Sequence, residues 1–339
     1  MILVTGAAGF LGRRVVRSLC EHGVPRIRCL VRPGTDVRAV PTDFPACAVE
    51  FVAANFNDSA GLRKAFDGVE VVYHLAAAKR GSAPSLVADT VVGSDNVLQA
   101  AQSTNVARFV LVSSLGVIDA AGLPSGSLVD ESVALDPHPE WRDAYTFSKH
   151  RQETLAWEYA RRGLPLVVVR PGVIFGPGEP LLHTRVGVRV PGMFLQLGRR
   201  NAIPLTYVEN CADAVVLAGL KLDLLKPDVG NAVVCVVDDN LPLGRQILRR
   251  HQREIERLRV VTVPYSVMRQ VARVNVWYHE RTQGHFPVLC TPYEVASMWK
   301  RLRYSNRAAK ERLGWSPRVD MQTALDKTFR ALADAQHSS

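Results

Sequence analysis

Three glycines near the N-terminus constrain the fold of this chain more than any other feature. They lie within Thr5–Gly12, directly after the apolar run Ile2–Val4 and before a helical pattern. In this context the first glycine permits a tight turn, the second lets the backbone approach a pyrophosphate, and the third lets a helix pack closely on a strand. The free amide groups at the helix N-terminus attract phosphate. The spacing predicts a dinucleotide site at Gly6, Gly9, Phe10, Leu11 and Gly12.

The first half of the chain alternates short apolar runs with helical stretches. The strand-like runs are Ile2–Val4, Ile27–Val31, Val49–Val52, Val69–Tyr73, Phe109–Val112 and Leu166–Val169. The helical stretches are Phe10–His22, Asp58–Phe66, Ser85–Thr104 and Ala144–Arg161. Short, nearly continuous apolar strands indicate burial on both faces, as in parallel sheets. We therefore expect a doubly wound parallel α/β sheet, the Rossmann fold, with right-handed crossovers.

The pattern becomes less regular after Pro171, where further prolines interrupt the chain. This change predicts a dinucleotide-binding domain at residues 1–171. Residues 172–339 are then mostly a smaller substrate-binding region, with parts of the chain returning to the sheet. Residues 119–143 are rich in Pro, Gly, Asp and Ser, which is typical of a long surface loop.

The positive charge of the chain is concentrated at its C-terminal end. The net charge of the 339 residues is +10, and residues 240–339 account for all of it. Such an excess fits an electrostatic funnel for an anionic substrate, a membrane-facing surface or a solvated helix face. No nucleic-acid-binding motif accompanies the charge, so we expect no nucleic-acid partner.

Residues 264–278 carry a second ambiguous pattern, in which valines and aromatic residues are interspersed with Arg269 and Arg273. We interpret this stretch first as a lid over a pocket. An amphipathic helix with peripheral membrane contact and a dimer face remain alternatives.

Other features narrow the class of protein. None of the six cysteines has zinc-ligand spacing, so we predict reduced core thiols and no metal. No apolar run approaches the ~18 residues of a membrane-spanning helix. The first strand begins at Ile2, which leaves no room for a leader peptide. We therefore expect a cytoplasmic protein.

The end of the second strand bears on the choice of dinucleotide. An acid about twenty residues after the glycines usually binds the ribose 2′-hydroxyl of NAD. Here that position holds Val31, and Arg32 follows it. An arginine pairs well with a 2′-phosphate, so the sequence favours NADP, with NAD as the alternative. Asp36 lies beyond the strand and is interpreted as a turn residue.

Three further residues form a pattern that can move a proton at neutral pH. Tyr145 and Lys149 are four residues apart on an expected helix and share one face. Lowering a tyrosine pKa from about 10 to about 7 requires ~4 kcal/mol, for which a neighbouring ammonium and a nicotinamide cation are suitable sources. Ser114, after the strand Phe109–Val112, is expected to hydrogen-bond the reacting oxygen, in preference to Ser113. The predicted catalytic residues are therefore Ser114, Tyr145 and Lys149.

Several segments together carry a family resemblance. They are Thr5–Gly12, His74–Ala77, Val112–Ser114, Asp130–Ser132, Tyr145–Lys149 with Glu153, Arg170–Gly178, Tyr207–Asn210 and Leu313–Pro317. The chain resembles the extended short-chain dehydrogenases/reductases, the group of NAD-dependent epimerases/dehydratases and 3β-hydroxysteroid dehydrogenases. The resemblance implies a Ser/Tyr/Lys catalytic set, a nicotinamide cofactor and a C-terminal substrate region. It also implies cofactor contacts from Asn55, Phe56, Leu75, Ala76, Ala77, Tyr145, Lys149, Pro171 and Val173.

Departures from the sugar-nucleotide branch bear on the substrate. Val117-Ile118-Asp119 replaces the usual Val-Tyr-Gly, and Ile203-Pro204 replaces an Arg-Asp pair. We therefore expect an NAD(P)-dependent oxidoreductase that interconverts a secondary alcohol and a ketone, similar to 3β-hydroxysteroid and sterol dehydrogenases. A nucleotide-sugar epimerase or dehydratase is the alternative, and a non-catalytic NAD(P)-binding regulator is the second. The resemblance also implies a homodimer that acts on a small-molecule substrate.

Overall fold

A seven-stranded sheet forms the centre of the computed structural model, which describes residues 1–78, 81–221, 233–283 and 285–337. The strands of the described residues are β1 (Ile2–Thr5), β2 (Arg26–Val31), β3 (Ala48–Ala53), β4 (Val71–His74), β5 (Arg108–Val112), β6 (Leu128–Val129), β7 (Leu166–Pro171), β8 (Val173–Phe175), β9 (Gly187–Val190), β10 (Met193–Gln196), β11 (Leu205–Tyr207), β12 (Val233–Val236), β13 (Val260–Thr262) and β14 (Arg303–Tyr304). The central sheet has the order β3-β2-β1-β4-β5-β7-β12, and every neighbouring pair is parallel. The predicted doubly wound sheet is confirmed.

Helices cover both faces of this sheet. The helices of the described residues are α1 (Gly12–Glu21), α2 (Ser59–Phe66), α3 (Ala83–Val87), α4 (Gly93–Ser103), α5 (Ala144–Arg161), α6 (Val208–Leu220), α7 (Gly244–Glu254), α8 (Tyr265–Arg281), α9 (Pro292–Trp299), α10 (Arg307–Leu313) and α11 (Met321–His337). One apolar cluster joins α1 and α6 to the sheet, and a second joins α2, α4 and α5 to its other face. Burial on both faces explains why the central strands are almost wholly apolar.

The helix boundaries differ from expectation at two places. α1 begins at Gly12 rather than Phe10, because Phe10 and Leu11 belong to the glycine loop. The single helix expected over Ser85–Thr104 consists of α3, a π-helical turn at Ala88–Val92 and α4. The expected helix Ala144–Arg161 coincides with α5.

Part of the C-terminal half packs on the central sheet. β12 forms its edge beside β7, while α6 and α10 contribute buried residues to the same core. The remainder includes the sheet β13-β10-β9 and a cluster between α7 and α11. The division at residue 171 stays a prediction, and the sheet itself draws on both parts.

The expected surface loop at 119–143 is more structured than the sequence indicated. β6 pairs with β14, a 3₁₀ turn spans Pro139–Trp141, and Val129 and Asp136 are buried. Polar composition alone did not reveal the pairing, because β14 comes from far along the chain. None of the helices in the described ranges is long and apolar enough to cross a membrane.

Candidate active site

The glycine loop has the close contacts that its sequence predicted. Gly6 has φ +72°, and a Cβ added there would lie 3.0 Å from the amide nitrogen of Ala76. A Cβ on Gly12 would lie 2.0 Å from the carbonyl oxygen of Gly6, too close for any side chain. Gly9 is exposed, and its Cβ would lie 3.1 Å from the same oxygen. The loop therefore presents bare backbone, as close binding of a pyrophosphate requires.

The first turn of α1 directly follows the glycine loop and points toward it. Leu11 occupies the N-cap position, and no side-chain capping hydrogen bond covers the N-terminus of this helix, which attracts phosphate. The Arg14 guanidinium stabilises the loop by donating hydrogen bonds to the carbonyl oxygens of Phe10 at 2.9 Å and Pro177 at 3.3 Å. These contacts fit a dinucleotide at this turn.

The other predicted cofactor residues lie at the carboxyl edge of the sheet. Leu75, Ala76 and Ala77 follow β4 and are partly buried. Asn55 and Phe56 follow β3, with Asn55 exposed and the Phe56 ring 5.9 Å from that of His74. Pro171 ends β7, and Val173 begins β8. Ligands of open parallel sheets bind at this edge.

Arg32 is exposed directly after β2, while Val31 is buried. Asp36 pairs instead with Arg38, whose Nη2 lies 2.7 Å from Asp36 Oδ2. This ion pair is consistent with the prediction that Asp36 is a turn residue. The charged side chain directly at the end of β2 is that of Arg32.

The two candidate serines occupy different environments. Ser113 is buried, and its hydroxyl has no hydrogen-bond partner among the described residues. Ser114 is partly exposed and accepts a 3.0 Å hydrogen bond from the Gly116 amide. A Cβ on Gly116 would lie 3.3 Å from Ser114 Oγ and 3.6 Å from Thr146 Oγ1, so Ser114 lies close to the first turn of α5. Ser114 therefore has the more accessible of the two hydroxyls and lies near the helix turn that carries Tyr145.

Tyr145 lies in the first turn of α5, after the N-cap residue Asp143. Burial, with the Asp143 carboxylate as a second cause, raises the pKa of Tyr145 to about 12. The lowering anticipated from the sequence does not come from the chain's own groups. A bound oxidised nicotinamide would supply positive charge, which would favour the phenolate.

Lys149 is held by two neighbours on different elements. Its Nζ donates to the Val112 carbonyl oxygen at 2.6 Å, at the end of β5, and also to Gln152 Oε1. Lys149 is 2% exposed, so these contacts fix a buried ammonium near the carboxyl edge of the sheet. Sequence reasoning did not identify Gln152.

Gln152 continues this contact into a buried polar network. Its Nε2 donates to the Ala76 carbonyl oxygen at 3.2 Å and to Ser94 Oγ at 2.7 Å. Ser94 also lies 2.9 Å from His74 Nε2, and His74 Nδ1 lies 2.8 Å from Thr5 Oγ1. Lys149 is thus connected to the loop beside Gly6 and to the last residue of β1.

Burial is the main reason that His74 is neutral in this network. It lowers the pKa of His74 to about 3, and the positive charge of Lys149 adds to the effect. Ser94 donates its own proton to the Thr90 carbonyl oxygen, so it accepts from His74 and Gln152. The family segment His74–Ala77 pointed to this position, but no sequence signal pointed to Ser94.

A large cavity is lined by segments close in sequence to Ser114 and Tyr145, although its lining does not include these two residues or Lys149. It measures about 1050 Å³, and its walls include Asp119, which follows Ser114 in the chain, and Arg142, which precedes Tyr145. Trp141 and Tyr293 form an edge-to-face pair in this wall, with ring centroids 5.1 Å apart. α8 and the segment before α9 contribute Val276, Val288 and Leu289. The lining combines these apolar side chains with charged ones, among them Asp119, Arg142 and Arg269, so the cavity can accept a sizeable molecule with apolar and polar parts.

The family assignment follows from comparison with known proteins. The sequence profile of the NAD-dependent epimerase/dehydratase family matches residues 2–231. The chain belongs to this family. It is therefore a nicotinamide-dependent oxidoreductase that acts on a small molecule, within the extended short-chain dehydrogenases/reductases that its motifs resemble.

Similar proteins extend over almost the whole chain. The sterol-4-alpha-carboxylate 3-dehydrogenase of Candida albicans is 26% identical and covers 97% of this chain and 96% of its own length. The 2-alkyl-3-oxoalkanoate reductase of Stenotrophomonas maltophilia is 27% identical and covers 96% and 97%. The crystal structure of gox2253 has a TM-score of 0.78 at 24% identity, covering 99% and 98%. This last likeness concerns the fold alone.

Proposed function

We propose that this enzyme interconverts a secondary alcohol and a ketone on a largely apolar substrate, with NADP as the preferred cofactor. The observation that carries the proposal is the connection of Lys149 to both the end of β5 and the loop beside Gly6. This connection brings the proton-transfer residues and the dinucleotide loop to one edge of the sheet.

Each catalytic residue has one role in the proposed reaction. The bound nicotinamide exchanges a hydride with the carbinol carbon. Tyr145 exchanges the proton of the substrate oxygen, and Ser114 orients that oxygen by hydrogen bonding. Lys149 contributes positive charge on the same helix face as Tyr145, one turn away, and binds the ribose.

The apolar substrate is supported by the cavity and by the names of the relatives. The cavity of about 1050 Å³ has aromatic and aliphatic side chains in its walls together with charged ones, and Arg142 in its wall lies three residues before Tyr145. Relatives aligned over the whole chain are named for a sterol carboxylate and an alkyl-oxoalkanoate. The NADP preference is supported by exposed Arg32, which follows Val31 at the position where an acid for the 2′-hydroxyl is expected.

The test begins with the cofactor. Purified protein is denatured, and mass spectrometry identifies any released nucleotide. Undenatured protein is titrated with NADPH and NADH, then screened against steroid, terpenoid and long-chain 3-oxo compounds. We expect exchangeable cofactor, tighter binding of NADPH and turnover of apolar ketones. Stoichiometric, tightly held NAD with turnover of a nucleotide sugar would contradict the proposal and establish the epimerase or dehydratase alternative.

We also infer a homodimer formed through the outer faces of α4 and α5. These helices pack against each other, and Tyr159 Oη donates to Asp95 Oδ1 at 2.7 Å between them. Light scattering on the purified enzyme tests the inference, and a monomeric mass would contradict it. The cytoplasmic location stays a prediction.

A further inference from the structure

α8 is apolar on the side that faces away from the protein. The residue at the centre of its inner side is Ala272, which is fully buried, and Met268 packs with it against Trp299. At 100° per residue, the outer side is formed by residues at i, i+4, i+7 and i+11. These positions and the neighbouring tryptophan are Val267, Val271, Val274, Tyr278 and Trp277, which are 48, 50, 62, 44 and 59% exposed.

A second exposed apolar segment adjoins this helix. Phe286, Val288 and Leu289 are 51, 38 and 81% exposed, and the Phe286 ring lies 4.9 Å from that of Tyr278. The segment is attached to α8 by hydrogen bonds, since Asn275 Oδ1 accepts from the Leu289 amide at 2.8 Å. We call α8 and residues 285–289 together the outer apolar face. Its parts are fixed relative to each other and form one continuous surface.

A continuous apolar surface of this kind requires a partner of matching chemistry. Exposed Arg273 and Arg281 lie among the apolar residues, with Glu280 as the acid nearby. Residues 240–339, the part of the sequence that includes this face, carry the entire +10 net charge of the chain. A second copy related by two-fold symmetry would bring this positive charge against itself. Charge complementarity therefore favours an anionic partner.

We propose that the outer apolar face binds the surface of an anionic lipid bilayer. Aliphatic side chains would enter the boundary of the acyl chains, Trp277 and Tyr278 would lie at the headgroup level, and the arginines would pair with lipid phosphates. This arrangement agrees with α8 as a lid, because its inner side contributes Val276 and Arg269 to the cavity. The inference does not depend on the proposed substrate.

The face also bears on how an apolar substrate reaches the enzyme. Val288 and Leu289 line the cavity and are exposed at the outer surface. Binding to a bilayer would bring this wall of the cavity next to the lipid. This access route alone rests on the proposed function, while binding to vesicles is measured without substrate or turnover.

Vesicle sedimentation tests the proposal with the full-length protein. We expect binding to vesicles of phosphatidylglycerol and phosphatidylcholine, weaker binding at high salt, and little binding to phosphatidylcholine alone. The double variant Val274→Gln/Trp277→Gln should bind at least about tenfold more weakly, because two central apolar side chains are lost. The control Val92→Gln removes a similarly exposed valine on the opposite half of the chain and should bind like the wild type.

A comparison of two double arginine variants distinguishes binding to anionic lipid from nonspecific hydrophobic adsorption. Arg273→Gln/Arg281→Gln should lower affinity for the anionic vesicles more than Arg301→Gln/Arg330→Gln, which removes two exposed arginines elsewhere. No binding by the wild type, or undiminished binding by Val274→Gln/Trp277→Gln, would overturn the proposal. So would concentration-dependent self-association that this variant abolishes, because the partner would then be a second copy. Circular dichroism confirms that each variant is folded.

Discussion

Lys149 and Gln152 lie one helical turn apart on α5, and the ammonium of Lys149 donates to the side-chain oxygen of Gln152. Both residues are almost fully buried, so this hydrogen bond fixes where a positive charge lies in a region of low polarity. Because Gln152 also donates to the Ala76 carbonyl oxygen, it couples the lysine to the cofactor loop.

Replacing this positioning residue tests the coupling. In Gln152→Ala, Lys149 loses one acceptor and the Ala76 carbonyl loses one donor. We expect kcat to fall about tenfold and the basic group in the pH–rate profile to titrate at higher pH, because the lysine charge is less well placed. The measurement is kcat and KM from pH 5 to 10. Gln152→Asn should recover part of the activity, whereas exposed Arg151→Ala should behave like the wild type. An unchanged pH profile in Gln152→Ala would show that Gln152 is only structural.

The proton transfer assigned to Tyr145 predicts a large kinetic defect in Tyr145→Phe. Turnover should fall at least ~100-fold, the scale of general acid–base catalysis, while binding of the dinucleotide is largely retained. Steady-state kinetics and cofactor titration measure the two effects separately. Tyr278→Phe, which alters an exposed ring far along the chain, serves as the matched control on a soluble substrate. Near-normal turnover in Tyr145→Phe would remove Tyr145 from the mechanism.

Arg32 should determine the preference between the two dinucleotides. Arg32→Ala removes charge-assisted hydrogen bonds to a 2′-phosphate, each worth about 1.5–3 kcal/mol. We expect Kd for NADPH to rise about tenfold or more and Kd for NADH to change little. Fluorescence titration of both nucleotides provides the measurement. Arg38→Ala is the control, because Arg38 pairs with Asp36. Equal losses for both nucleotides would argue against contact with the 2′-phosphate.

The buried imidazole of His74 should make stability depend on pH. Its pKa is about 3 when folded and about 6.5 when unfolded, so the unfolded chain binds more protons at acidic pH. Its contribution is fully present above about pH 6.5 and is lost as the pH falls toward 3. Between pH 7 and pH 5 the loss should be about 2 kcal/mol.

Urea denaturation at several pH values measures this dependence. The slope of the unfolding free energy against pH measures the number of protons taken up on unfolding. In His74→Gln this number should be smaller by up to one between pH 6 and 4. The slope is the informative quantity, since the variant is also less stable at pH 7. Burial also lowers the pKa of His183, to about 4, so part of the slope will remain. An unaltered slope in His74→Gln would contradict the low pKa assigned to His74 in the folded protein.

The sequence predicted the local parts of the site well. The glycine loop and the pair on α5 depend on short-range spacing, and both lie where the motifs indicated. Gln152, Ser94 and Thr5 were not predicted as a network, because their contacts join residues more than fifty positions apart. The lowered pKa expected for Tyr145 depends on a nicotinamide charge as well as Lys149, whereas in the chain alone burial raises this pKa to about 12. Pairing of β6 with β14 likewise depends on tertiary contact.

β12, α6 and α10 come from the second half of the chain but pack on the central sheet. This arrangement limits which parts of the enzyme can change when its substrate changes. Hydride transfer depends on a body assembled from both ends of the chain, so truncation at residue 171 would remove one strand and two supporting helices. The hairpin of α8 and α9 lies outside this body and packs through a smaller cluster against Val188, Leu197 and Val263, in and next to the sheet β13-β10-β9. Insertions or exchanges within the hairpin can therefore alter which molecules enter, while the reaction chemistry is inherited intact.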